Sequence, residues 1–290
     1  MTRTRVCFLA ILLPAHAAFG QPPAAHEKET TAAWEAFKGG KFAAAITHAD
    51  ACINGFQGPA GRRQKEIADA KEVVPIGLVL PAQKAAIHNN GPLNDVATAH
   101  FIKARAAYKL GKKAEVLTAL AETEKYSAAR VWDPKGWFWS PADAARLFRL
   151  NPELADKPLH EAYVSLAWAA LNRRDHAKAI ELADKCTAGF RAAAEELEND
   201  LARRGVQLPV GAVGLPARNV VFENGVLNDA ATAFFIKGKA AEGRGGRKTA
   251  VAAYAAAASF PHARCWGESG GFWSPAVAAG DRLAALNIKK

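Results

Sequence analysis

The chain has 290 residues, half of them hydrophobic, with 38 Lys and Arg against 28 Asp and Glu and a formal charge of +10. This length allows one or two domains, and the apolar fraction allows a sizeable core. No apolar run reaches the roughly 20 residues needed to cross a bilayer, which excludes a transmembrane mature protein. Alanine dominates the middle of the chain and β-branched runs are scarce. Alanine loses no side-chain entropy in a helix, so an all-α fold is expected.

In chain order, Arg3 and Arg5 come first, Val6 to Leu13 form a short apolar run, and Ala18-Phe19-Gly20 puts small residues where a signal peptidase reads. Residues 1–20 therefore read as a signal peptide cleaved before Gln21, and the mature protein as periplasmic or secreted. Cys7 lacks the preceding small residue that lipid attachment needs. Losing Arg3 and Arg5 lowers the charge from +10 to about +8. A basic exported protein meets anionic surfaces, such as acidic proteins or cell-wall polymers, rather than nucleic acid. The same charge also keeps a chain soluble. Cys52, Cys186 and Cys265 remain, an odd number that makes no disulfide framework. Cys52 and Cys186 read as small buried side chains on alanine-rich helix faces.

Sliding the sequence over itself by 134 positions gives a long ungapped match. Trp34 meets Trp168, Cys52 meets Cys186, and Gly55-Phe56 meets Gly189-Phe190. Asn90-Gly91 meets Asn224-Gly225, Leu93-Asn94-Asp95 meets Leu227-Asn228-Asp229, and Phe101-Ile102-Lys103 meets Phe235-Ile236-Lys237. Phe138-Trp139-Ser140-Pro141 meets Phe272-Trp273-Ser274-Pro275. One register held from Trp34 to Pro141 points to two tandem units, 21–154 and 155–290.

Each unit reads as two helical hairpins. In the second unit the first hairpin runs from Tyr163 to Phe190 and turns at Asn172-Arg173-Arg174-Asp175. Its return helix is expected to continue through Arg191 to Gly205, followed by a Pro/Gly-rich loop. The next hairpin runs from Leu227 to Phe260, with Asn228 as helix cap and Asp229 at the positive helix end. Gly243 to Gly246 breaks it, and Pro261 ends it. In the first unit, Gly58-Pro59 is expected to interrupt a helix.

Phe234, Gly238, Ala241, Ala250, Tyr254, Ala257 and Pro261 resemble the tetratricopeptide repeat family, with its small residues, Ala-x3-aromatic step and late proline. Tyr163, Leu166, Ala167, Ala170, Ala179 and Ala183 resemble it less closely, as do Ala104, Ala107, Gly111 and Leu120. The resemblance implies helical hairpins stacked as an α-solenoid and a role in binding proteins or peptides. The extra segment between the hairpins of one unit departs from the family's spacing of about 34 residues.

The second hairpin of each unit ends in an aromatic tail, carrying Trp132, Trp137 and Trp139 in the first unit and Trp266 and Trp273 in the second. These rings could stack on a sugar, but their repetition favours packing over the hairpin ends. Trp137 has Gly271 as its match and is expected to be exposed. The Ser-Pro pairs read as the cap and first residue of a closing helix.

No catalytic chemistry follows from the sequence: there is no HExxH, no GxSxG elbow and no Cys/His cluster with metal spacing. Asp95 and Asp229 read as helix-start residues rather than a glycosidase pair. His48, His88, His100, His176 and His262 are scattered. No cofactor, metal or catalytic residue is expected.

The first helix of each hairpin lines the groove in tetratricopeptide proteins, and that resemblance points to Trp34, Phe101, Arg105, Tyr108, Trp168, Phe235 and Lys239. Arg105 and Lys239 match at the offset of 134, one turn beyond Phe101 and Phe235. Aromatics mixed with fixed cations suit an acidic or carboxylate-ended peptide. The expectation is a non-enzymatic exported scaffold, with a glucan or cell-wall binder, or a glucanase-like hydrolase, as the alternative.

Overall fold

The computed structural model describes residues 24–288. The signal-peptide reading, its cleavage before Gln21 and Cys7 lie outside them. Of the described residues 72% are helical, and the strands among them form two sheets of two strands each, so the class is all-α. No described helix is long and apolar enough to cross a membrane.

The residues fall into two compact units. The first runs to Val74 and resumes over Leu80–Ala142. It holds α1 (Ala25–Lys38), α2 (Phe42–Asp69), α3 (Pro81–His88), α4 (Gly91–Lys109) and α5 (Lys113–Lys125). A hairpin of β1 (Val131–Asp133) and β2 (Trp137–Trp139) follows. α4 packs on α2 and α5 and touches α1. Its Leu93, Val96, Ala97, Ile102, Ala104 and Ala107 are fully enclosed or nearly so. Small residues on this face let the helices approach closely.

The second unit contains Pro75–Val79 and everything from Asp143. After α6 (Pro141–Leu150) come α7 (Leu159–Asn172), α8 (His176–Arg203), α9 (Leu215–Glu223), α10 (Gly225–Gly243) and α11 (Arg247–Ala258). The hairpin β3 (Cys265–Trp266) and β4 (Phe272–Trp273) leads into α12 (Pro275–Ile288). α10 packs on α8, α11 and α7, with Tyr254, Ala250 and Ala257 of α11 fully buried against it. Ser274 caps α12, accepting the Val277 N–H at 3.3 Å.

Four local expectations are corrected. α2 runs unbroken for 28 residues through Pro59. Pro59 and Gly55 are exposed, so water can take the carbonyl that proline leaves without a donor. The segment after α8 is not all loop, because α9 forms inside it, with Pro216 in its first turn. Asn228 does not cap α10, which starts at Gly225. Instead its Nδ2 donates to the Val221 carbonyl at 2.8 Å and its Oδ1 accepts the Arg264 N–H at 2.8 Å. Trp137 is buried, 7% exposed, on the inner side of its hairpin.

Bonds inside the first unit recur inside the second at the offset of 134. Asn94 joins the Ile87 carbonyl to the Arg130 N–H, as Asn228 joins Val221 to Arg264. The Arg130 guanidinium grips the Val74 carbonyl from Nε at 3.1 Å, and Arg264 grips Leu208 at the same distance. Lys103 pairs with Asp50 at 2.6 Å, and Lys237 with Asp184 at 2.5 Å. Each arginine fixes the end of the connector that follows its unit's longest helix.

Candidate binding surface

In the second unit three rings form a triangle. Trp168 of α7, Phe235 of α10 and Trp273 of β4 have centroids 6.3, 6.5 and 5.3 Å apart. Phe235 is buried, while both tryptophans are half-buried. Helix spacing explains the fourth member: Lys239 lies one turn after Phe235, exposed, with Nζ 5.9 Å from that ring.

The first unit builds the matching set differently. Phe101 of α4 meets Trp139 of β2 edge-on at 5.8 Å. Arg105 lies among three rings, its Cζ 4.4 Å from Phe37, 5.3 Å from Trp34 and 5.8 Å from Phe101. Phe37 has Leu171 as its match, so only the first unit surrounds its cation with aromatics. A guanidinium among rings gains roughly 0.5–2 kcal/mol from their quadrupoles. Arg105 is half-buried and thus also part of the packing, whereas Lys239 points to solvent.

The groove residues and the tail residues, separate in the sequence reading, therefore converge. Trp139 and Trp273 join Phe101 and Phe235, because each β-hairpin folds its last residue back onto the long first helix of the preceding hairpin. Trp132 and Trp266 do not join them. Trp132 packs on Phe138 at 4.9 Å with Lys84 Nζ 3.6 Å above its ring. Trp266 packs on Phe272 at 4.9 Å with Arg218 Cζ 4.0 Å above its ring. Tyr108 is 41% exposed, two turns along α4 from Phe101.

Sequence reasoning missed the polar centre of each unit. His26 Nδ1 meets Asp95 Oδ2 at 2.5 Å, and His160 meets Asp229 at 2.6 Å. The scattered histidines drew attention, while these two, which share the 134 offset, did not. Gly91 makes room for His26, since a Cβ there would lie 2.8 Å from the ring, whereas a Cβ on Gly225 would meet the His160 ring at an ordinary 3.5 Å. The bond to Asp95 raises the His26 pKa, with burial opposing. Burial raises the Asp229 pKa, with the His160 bond opposing. Asp95 and Asp229 are thus half-buried partners of the histidines and not simple helix-start charges. A further pair, Glu198 with the half-buried His262, has Gln64 and Ala128 at the matching positions, where Gln64 Oε1 accepts the Ala128 N–H at 3.0 Å.

The thiols lie beside these centres without the character of nucleophiles. Cys52, Cys186 and Cys265 are free. Burial pushes the Cys52 thiol up to about 12 and Cys265 up to about 11, and holds Cys186 well above its usual range. A thiol reacts as its thiolate. Native protein at neutral pH is therefore expected to leave Cys52 and Cys186 unmodified by iodoacetamide, with full labelling in denaturant. Rapid labelling of either under native conditions, read by peptide mass spectrometry, would contradict this burial.

Among the described residues, no three His, Cys, Asp or Glu side chains gather as metal ligands. No protein-family model, curated protein or solved structure matches this chain.

Proposed function

We propose that the chain is an exported, non-enzymatic scaffold of tetratricopeptide-like hairpins in two homologous units, which binds acidic or carboxylate-ended peptides through the ring-and-cation surface. The observation that carries this reading is the recurrence, within each unit, of a half-buried tryptophan edge-on to a phenylalanine, Trp139 on Phe101 and Trp273 on Phe235, with a cation one turn away. Trp168 and Trp273 offer apolar area with polar indole edges, and Lys239 offers an exposed charge beside them. A helical-repeat surface needs no cofactor for this role. The glucan alternative ranks second because Lys84 and Arg218 already cover faces of Trp132 and Trp266.

The cleanest test uses Lys239, whose exposure separates binding from folding. A fluorescent peptide rich in Asp and Glu, with a free C-terminus, serves as the probe. Lys239→Glu should weaken its binding by about tenfold or more, the loss of one charge-assisted contact, and should flatten the salt dependence. The unfolding midpoint should stay within a degree or so. Unchanged affinity and salt slope would refute the peptide reading. Arg105→Glu is the wrong tool, because placing a carboxylate against three rings disturbs the first unit's packing.

A further inference from the structure

Within the second unit, the segment Pro75–Val79 seats on α8 by direct backbone contact. A Cβ added to Gly77 would lie 1.6 Å from the Gly189 carbonyl oxygen. A Cβ added to Gly189 would lie 2.7 Å from Ile76 Cδ1. Gly77 is required by this approach and also has φ +86, while a side chain at Gly189 would displace the Ile76 side chain. Gly77, Gly189 and Phe190 are buried, and Ile76 is half-buried.

The sequence carries both halves of this contact a second time, and there each half is uncovered. The loop at the offset of 134 is Pro209-Val210-Gly211-Ala212-Val213. Gly211 has φ +87, so the loop backbone already holds the seated conformation at that residue. Two hydrogen bonds to Phe272, of 2.7 and 2.8 Å, fix it there. Among the described residues, nothing lies within 4 Å of a Cβ on Gly211, and Val210 is 60% exposed. Phe222, which packs on the same Phe272 at 5.3 Å, is 50% exposed and extends this apolar edge.

The matching receptor is the face of α2 at Gly55. Among the described residues, nothing lies within 4 Å of a Cβ on Gly55. Phe56 is half-exposed where its match Phe190 is fully buried. A glycine inside an exposed helix costs about 1 kcal/mol relative to alanine, and no contact among the described residues accounts for one here. At Gly189 the same choice is explained by the seated loop.

We propose that this surface is a self-association site: the Val210–Gly211 loop of one copy docks on the Gly55 face of α2 in a second copy, repeating the contact that Ile76–Gly77 makes with Gly189. The occupant is a second copy because the chain itself contains the fitting loop in the fitting conformation. The loop and the receptor are different surfaces, so the contact is heterologous and one-directional. Such a contact builds an open chain or closes into a ring; it does not make a two-fold dimer.

That asymmetry supplies the test. Gly55→Arg fills open solvent on an exposed helix, and Val210→Glu sits on an exposed loop, so both should retain the native circular dichroism spectrum and melting behaviour. Sedimentation velocity of the full chain should show wild-type association rising with concentration beyond the dimer, and each variant alone monomeric. Mixing the two should give a one-to-one heterodimer, since each variant retains the half that the other lacks. A wild type that stays monomeric through the high-micromolar range overturns the proposal. So does either variant assembling like wild type, or a mixture of folded variants that stays monomeric.

Discussion

Replacing Gly238 with alanine should destabilise the second unit, and a further Tyr254→Leu change should restore much of the loss. A Cβ at Gly238 would stand 2.5, 2.6 and 2.9 Å from three carbons of the Tyr254 ring. The ring has no room to retreat. It is 0% exposed, meets Phe235 at 5.8 Å and donates its hydroxyl proton to Glu242 at 3.0 Å. Alanine would ordinarily favour a helix over glycine by about 1 kcal/mol, but overpacking a closed core costs roughly 1–3 kcal/mol or more.

The first unit shows the compatible combination. Ala104 and Leu120 occupy the matching positions, both essentially buried. Large-with-none and medium-with-small are two solutions of the same space. Glu242 is also held by Arg282, with Nε 3.2 Å from Oε2, so losing the tyrosine does not strand it. A double-mutant cycle in urea should give a coupling of about 1–3 kcal/mol in favour of the double variant. Additive effects would mean that the ring moves freely.

Replacing His100 with phenylalanine should make the protein markedly more resistant to mild acid. His100 is 9% exposed and stacks on Tyr126 at 6.0 Å with an interplanar angle of 20°. Burial lowers its pKa to about 4, while Glu122 and Asp50 pull it up and Lys103 and Lys125 push it down. The unfolded chain takes up a proton near the ordinary value of 6.5, which the folded chain refuses until about 4. Stability contributed by the neutral ring is therefore intact above the unfolded value and is lost as pH falls towards the folded one. The loss reaches about 2 kcal/mol by pH 5 and about 3 kcal/mol at lower pH.

Phenylalanine fits because Phe234 holds the matching place and stacks on Phe260 at 6.1 Å and 16°. Urea midpoints measured at pH 7 and pH 5 should diverge for wild type and stay closer together for His100→Phe. Equal shifts in the two proteins would show that His100 is not the acid-sensitive group. The His26–Asp95 pair acts in the opposite sense. Its raised pKa gives stability below the unfolded value that is lost as pH rises through the folded one, so the two histidines narrow the stable range from both sides.

Much of the helical architecture was legible because it rests on local rules. The turn at Asn172–Asp175, the long continuation of α8 and the Ser-Pro helix starts depend on neighbours a few residues away. What escaped depends on distant partners. Asn228 has the composition of a cap, but its amide is claimed by Val221 and by Arg264, 36 residues on. Pro59 is a breaker by rule and tolerated by exposure. Trp137 lacked a match at the offset of 134, which suggested a surface residue, yet the hairpin turns it inward. The candidate surface was half legible: Trp34, Phe101, Trp168 and Phe235 could be named, but only the β-hairpins bring Trp139 and Trp273 to them. The His–Asp pairs were available to the same comparison of the two halves, because His26 and His160 stand at the shared offset as clearly as the tryptophans do.

The placement of Pro75–Val79 bears on the order in which the protein is made. On the ribosome this segment emerges well over a hundred residues before α8 is complete, an interval of about ten seconds at ordinary synthesis rates. Within that time the first hairpins can close, because Arg130 and its carbonyl partner Val74 both belong to the first unit. Ile76 and Gly77 cannot, because Gly189 does not yet exist. The nascent chain thus carries one small apolar hook that stays unsatisfied until Gly189 has been made. The same dependence forbids a clean division of the gene: a fragment starting at Asp143 would encode α8 without the loop that covers it, and a fragment ending at Ala142 would encode the loop without its helix.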